Sequence, residues 1–345
     1  MNKLPFFLLT LLFLAACNPE KDAPKLNELS SEEAIMAMED MSDDASQDVI
    51  DLMNSDGFES IFDLLNFMFE SDEFGNNLRA DKYSTKEKAL EIARIFATSP
   101  AARVSTDESE EFPTGIYEWN AQLEDFELVE ESDDLILKFP IGESETNNAI
   151  FTLSDLEFNV DDLPSKIVAN LEVDEVTMVD LHYVVNWSSE EFPEVADIYL
   201  FVNPFTFDLN FNAQGETVTL VFTIANGDET IAAIDLEASG SIDDEVLPVV
   251  EGSVEYRGVK IAGRVDLDGL DNAMFNETDP NEEMELELFI EDEKAGDIVL
   301  VLETNDEYTD YVPYVVFSDG AQEPLEELLD SIFSTVEDEL EALEI

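Results

Sequence analysis

One histidine, one cysteine and 84 carboxylates are the side chains from which catalysis or metal binding would have to be built in this 345-residue chain. His182 lies in a run where Val179, Leu181, Tyr183, Val185 and Trp187 alternate with Asp180, His182, Val184 and Asn186. That period of two puts His182 on the more polar face of a strand. It reads as a solvated surface histidine rather than a catalytic one. A serine-histidine-acid triad would have to use it, and no Gly-x-Ser-x-Gly is present. A single histidine cannot build a histidine-rich zinc site, nor a single cysteine a thiolate site. Neither Gly-x-x-x-x-Gly-Lys-Ser/Thr nor Gly-x-Gly-x-x-Gly occurs, so nucleotide chemistry is unsupported and no cofactor is implied.

The carboxylates offer two possibilities. A glycosidase-like pair would need two of them at a fixed separation across a cleft, and the sequence does not locate such a pair. A calcium loop is testable in Asp266-Leu267-Asp268-Gly269-Leu270-Asp271-Asn272. An EF-hand loop starting at Asp266 wants an oxygen ligand where Leu270 stands and glycine where Asp271 stands. The plain expectation is the end of a strand and a turn. If a divalent cation binds in this run, Asp266, Asp268 and Asp271 are its ligands.

Aromatic residues are the third feature. Phe201, Phe205, Phe207, Phe211 and Phe222 fall on neighbouring strand patterns. They make either a phenylalanine-rich core under helices or the lining of an apolar cavity for a lipid or other hydrophobic ligand. For the second reading Phe205, Phe207, Phe211 and Phe222 are the candidate contacts.

Charge limits the partners. The formal net charge is −69. Nucleic acid is excluded, because phosphate binding needs lysine and arginine. Docking on anionic headgroups is disfavoured for the same reason. Such charge often means disorder, yet 45% of residues are hydrophobic and 24 are Phe, enough to bury a core. Folding then requires that self-repulsion be tolerated. Molar salt does this by shortening the screening length to about 3 Å, which points to a halophilic or marine source. Binding of divalent cations is the competing account.

The elements that would position these groups follow from periodicity. Ser30-Ser31-Glu32-Glu33 has the form of a capping box, followed by Ala34, Ile35, Met38 and Met41 at helical spacing. A second helical segment carries Val49 to Met53, and a third, after a break at Asp56-Gly57, carries Phe58 to Phe69. A fourth starts with Ser84-x-x-Glu87 and ends near Pro100. Residues 101–114 are an acidic junction. From Gly115 to Phe317 the period is two, as in Phe205 to Phe211, Val218 to Ile224 and Met284 to Ile290. Asn226-Gly227 is a strong hairpin signal. Asp174-Glu175, Arg257-Gly258 and Lys294-Ala295-Gly296 are weaker ones. Roughly a dozen strands in an antiparallel meander are expected. Pro324 suits the first position of a closing helix with the stripe Leu325, Leu328, Leu329, Ile332, Phe333, Val336 and Leu340. The fold class is α+β: N-terminal helices, a large curved and mainly antiparallel sheet, and a C-terminal amphipathic helix packed on it.

The N-terminus has its own logic. After Lys3 the chain runs from Leu4 to Ala16 without charge, too short to span a bilayer. A positive start, an apolar stretch and small residues describe a secretory signal peptide. Leu14-Ala15-Ala16-Cys17 resembles the lipobox of bacterial lipoproteins, a likeness confined to about twenty residues. It implies lipid on the Cys17 sulfur, cleavage before Cys17 and acylation of the new amine. Cleavage would take away only Lys3, leaving the mature chain at −70. Cys17 is the only cysteine, so no internal disulfide can form. Asn18 after the cysteine resembles an outer-membrane address of the enterobacterial type. The division expected is a signal peptide over 1–16, a lipidated tether over 17–29, a helical segment over 30–100 and a sheet with its closing helix over 115–345. A non-enzymatic envelope lipoprotein at the outer membrane or cell surface is the expected function. A carrier of hydrophobic ligand is the alternative.

Overall fold

The computed structural model describes residues 29–69 and 114–329, except 124, 143, 160–162, 189–192, 216, 242–245, 277 and 305–308. The described residues fall into two compact units. One comprises those within Met1–Leu52, Glu191–Asp197 and Phe207–Ile345, the other those within Met53–Glu190 and Ile198–Thr206. This border lies elsewhere than the change from helical to strand periodicity.

The chain enters the first unit at Leu29. Its N–H donates to the Lys294 carbonyl at 3.1 Å, and its carbonyl accepts from the Ser318 hydroxyl. Helix α1 (Ser31–Met53) follows. The capping box forms as expected: the Ser30 N–H donates to the Glu33 carboxylate at 3.0 Å, and the Glu33 N–H donates to Ser30 Oγ at 3.4 Å. The two segments expected here are one helix. Apart from Ala45, residues 42–48 are polar, but they hold neither Gly nor Pro, so nothing stops a helix whose flanks are already helical.

The second unit opens with α2 (Asp56–Phe69). The break before it falls at Asn54-Ser55 rather than at Asp56-Gly57, and the Ser55 hydroxyl accepts from the Phe58 N–H at 3.3 Å. Gly57 lies inside the helix because backbone approaches it: a Cβ there would sit 2.4 Å from the Asn203 nitrogen. Then come β1 (Gly115–Asn120), β2 (Asp125–Glu130), β3 (Leu135–Phe139), β4 (Ala149–Phe158), β5 (Pro164–Val173) and β6 (Val176–Trp187). One pairing departs from the meander while leaving the sheet mainly antiparallel, as expected. β1 pairs β2 antiparallel but β3 parallel, because the chain passes from β2 around the start of β1, where the Gly115 N–H donates to the Asp134 carbonyl at 2.8 Å. Leu64 and Phe67 of α2 pack on Tyr117, Leu137, Phe139 and Phe151. Each fully buried side chain of this size contributes about 1.5–3 kcal/mol.

Next are β7 (Pro193–Val202) and β8 (Phe205–Asn212). The first unit resumes at Phe207 within β8 and continues with β9 (Thr217–Asn226), β10 (Glu229–Ser241), β11 (Val246–Tyr256), β12 (Val259–Asp266), helix α3 (Leu267–Phe275), a 3-10 turn at Pro280–Glu283, β13 (Met284–Ile290), β14 (Glu293–Thr304), β15 (Thr309–Phe317) and β16 (Gln322–Pro324). Sixteen strands, more than the dozen expected, hydrogen-bond as one sheet in chain order from β16 down to β3, then β1 and β2. A large, mainly antiparallel sheet with helices is thus the architecture. In the first unit Ala34, Met38 and Met41 of α1 are buried with Ile261, Leu288 and Val315.

The hairpin signals fared unequally. Asp174-Glu175 and Arg257-Gly258 are two-residue turns with both φ angles positive, the pattern of a type I′ turn. Asn226-Gly227 marks its hairpin, but the turn residues are Gly227-Asp228. Lys294-Ala295-Gly296 is not a turn. It lies within β14, where Ala295 is fully buried and a Cβ on Gly296 would sit 2.6 Å from the Val316 carbonyl oxygen, so small residues serve packing there. The turn is Glu291-Asp292, both left-handed. Pro324 is likewise not a first helical residue: it ends the edge strand β16 opposite Tyr314, a place where its missing N–H is tolerated. Residues 325–329 are helical, and Leu325 and Leu328 join the core. Ile332, Phe333, Val336, Leu340, the segment expected at 84–97 and Cys17 lie outside the described residues.

Candidate functional site

The groups singled out by chemistry do not converge. His182 is 56% exposed on β6, with Nε2 3.6 Å from Asp180 Oδ1 and its ring edge-on to Tyr199 at 6.3 Å. Asp266 ends β12 and caps α3, its Oδ1 accepting from the Gly269 N–H at 2.9 Å. The strand end was legible; the helix after it was not, although Asp is a favoured N-cap residue. Asp268 stands in the first turn of α3 and Asp271 on its exposed side. Among the described residues no group of three or more His, Cys, Asp or Glu is placed to hold a metal ion.

Phe205 is 2% exposed, whereas Phe207, Phe211 and Phe222 are half-buried. None of the four belongs to the two buried clusters. The aromatic cluster that does form is elsewhere. In the second unit Phe67 stacks on Phe139 at 4.8 Å and meets Trp119 and Phe126 edge-on at 5.0 and 6.2 Å. Its sequence signal was the pair Trp119 and Phe126 flanking a short turn.

Two constellations were not foreseen. In the second unit, Asp56, Glu59 and Asp63 follow one face of α2 and line an open cleft of about 440 Å³. Its other wall includes Asn148, Asp174 and Met178. Asn148 fixes this wall, its Oδ1 accepting from the Ile141 N–H at 3.0 Å and its Nδ2 donating to Asp174 at 3.3 Å. Four carboxylates on one opening favour cations over anions.

In the first unit, Asp48 is buried near the end of α1. It accepts from Arg257 Nε at 2.9 Å and from the Tyr256 hydroxyl at 2.8 Å, and Arg257 also pairs with Glu229. Burial and then the Asp48 hydrogen bond push the Tyr256 phenol well above its usual range. The Asp48 hydrogen bond likewise raises Arg257. Neutral phenol, permanent cation and paired carboxylate tie a helix to two hairpin turns. That is a structural lock rather than a proton relay.

The chain's entry point is built with comparable care. The Ser31 N–H and hydroxyl donate to Asp319 Oδ2 at 3.1 and 2.6 Å, and these bonds hold the Asp319 carboxyl below its usual range, the hydroxyl contributing most. The Ser30 hydroxyl and then its N–H do the same for Glu33. Leu29 to Ser31 is therefore fixed to the turn Ser318–Gly320. No helix among the described residues is long and apolar enough to cross a membrane. No family model, no curated protein and no solved structure matches this chain.

Proposed function

We propose that the chain is a non-enzymatic lipoprotein of the bacterial envelope, anchored by lipid on Cys17 and acting at that membrane through contacts of its acidic surface. The observation that carries this reading is Leu14-Ala15-Ala16-Cys17 behind a charge-free apolar run. Two or three acyl chains hold firmly, each buried methylene contributing about 0.8 kcal/mol. The fold supports the reading in one respect. The chain is pinned from Leu29 onward, only twelve residues after Cys17, so the first unit stays local to its anchor. Asn18 favours the outer membrane or cell surface.

Membrane fractionation of wild type and Cys17→Ser, with mass spectrometry of the N-terminal peptide, tests this. Wild type should carry acyl mass on Cys17 and sediment with membranes, and Cys17→Ser should appear in the soluble fraction. A Cys17→Ser protein still tightly bound to membrane would overturn the proposal.

A further inference from the structure

The entry point also orients the body. Four turns of the first unit lie at the same end of their strands as Leu29: Gly227–Asp228, Arg257–Gly258, Glu291–Asp292 and Ser318–Gly320. The Arg257 N–H donates to the Ile231 carbonyl at 2.8 Å and the Glu291 N–H to the Gly258 carbonyl at 2.8 Å. Leu29 itself is bonded to Lys294 and Ser318. The opposite end of the same strands is where β12 stops at Asp266 and α3 begins.

We infer that this set of turns is the face of the first unit directed at the membrane, and that its carboxylates hold it off the lipid headgroups; the inference rests on lipid anchorage at Cys17. The first argument is reach. From Cys17 to Leu29 the chain spans at most about 40 Å, however it runs. An eleven-residue strand such as β11 is itself about 35 Å long. Turning the α3 end to the bilayer would require the link to be stretched almost fully along the body. Turning the Leu29 end to the bilayer requires no stretching.

The second argument is charge. The turns and their flanks present Asp228, Glu229, Glu291, Asp292, Glu293 and Asp319. Of the three cations there, two are engaged in ion pairs and the third, Lys260, stands opposite Glu255 on β11. Arg257 is held by Asp48 and Glu229, and Lys294 by Glu287 and, at 2.8 Å, Asp297. Lipid phosphate is thus offered carboxylates in excess of cations, and anionic lipid repels this end over about a Debye length.

The test uses the full mature lipidated protein in vesicles. Single labels are placed at Asp228→Cys or Asn276→Cys, both exposed positions at opposite ends of the unit, and read against a headgroup quencher. In phosphatidylcholine vesicles the label at 228 should be quenched at least two-fold more than that at 276. Adding phosphatidylglycerol at low salt should weaken quenching at 228, and 0.5 M NaCl should restore it. Equal or reversed quenching at the two positions overturns the orientation. Quenching at 228 that ignores phosphatidylglycerol overturns the standoff. Failure of the unlabelled protein to float with vesicles overturns the lipid anchor instead, and is read separately.

Discussion

Arg257 reaches across from the β11–β12 turn to Asp48 on α1, its Nε donating to Oδ2 at 2.9 Å with 11% of the Asp48 side chain exposed. Removing one partner of such a pair leaves the other charge buried, which costs about 3 kcal/mol. Asp48→Ala should lose about that much in a urea melt. Arg257 also carries a φ of 48°, a left-handed conformation in which a side chain costs about 1 kcal/mol. Arg257→Gly should therefore be about 1 kcal/mol less damaging than Arg257→Ala. Equal losses for the two would show that the turn backbone stores no strain.

The entry point predicts a pH signature. Glu33 and Asp319 have carboxyls lowered by Ser30 and Ser31. A carboxyl lowered in the folded state contributes stability above its unfolded pKa, about 4, and that contribution is lost as pH falls through the folded value. Wild type should exceed Glu33→Gln/Asp319→Asn in urea midpoint at pH 6. The difference should shrink steadily toward pH 3. Comparing the two proteins at each pH removes the general relief of repulsion that protonation brings to so acidic a chain. A difference that stays constant with pH would assign the effect to packing.

Gly57→Ala should destabilise the second unit by about 2 kcal/mol, in the range for forced overpacking. The added Cβ would meet the Asn203 nitrogen at 2.4 Å and the Met178 carbonyl oxygen at 2.8 Å, both backbone atoms that cannot swing aside. The Gly57 N–H bond to the Asn203 carbonyl, 3.1 Å long, would be strained as well. Glu59→Ala, at an exposed position two residues on in the same helix, is the control, since it adds no atom beside backbone. If both variants melt alike, the approach of Asn203 is not a constraint.

Gly57 also shows where sequence reading stopped. Asp-Gly after a helical pattern is a break signal, and the break is indeed nearby, but the glycine answers to Asn203, 146 positions later in the chain. Lys294-Ala295-Gly296 failed the same way: its small residues make room for Val316 rather than a turn. Strand alternation, the capping box at Ser30 and two type I′ turns were legible because they depend on neighbours a few residues apart. The Glu291-Asp292 turn, two acids like Asp174-Glu175, was not, because Ala295 and Gly296 just after it offered a competing turn signal. The Asp48 lock was invisible for another reason. Asp48 is one acid among 84, and only the fold brings Arg257, one of 15 cations, beside it. The parallel β1–β3 pair depends on which side of β1 the chain returns, and alternation does not encode that.

Salt dependence follows from an excess of acidic over basic residues, 84 against 15. The formal balance is −69, and the ion pairs found among the described residues engage four lysine and arginine side chains. Repulsion between exposed carboxylates is screened over about 10 Å at 0.1 M salt and about 3 Å at 1 M. Melting in 2 M NaCl should lie above that in 0.05 M NaCl by about 5–10 °C, the shift expected from about 2–3 kcal/mol in domains of this size. The chemistry of the cation separates screening from binding. If repulsion is the cause, millimolar calcium at constant ionic strength should add little to the stabilisation. A large calcium effect with a flat response to NaCl would replace screening with specific cation binding, and would remove the argument for a salty habitat.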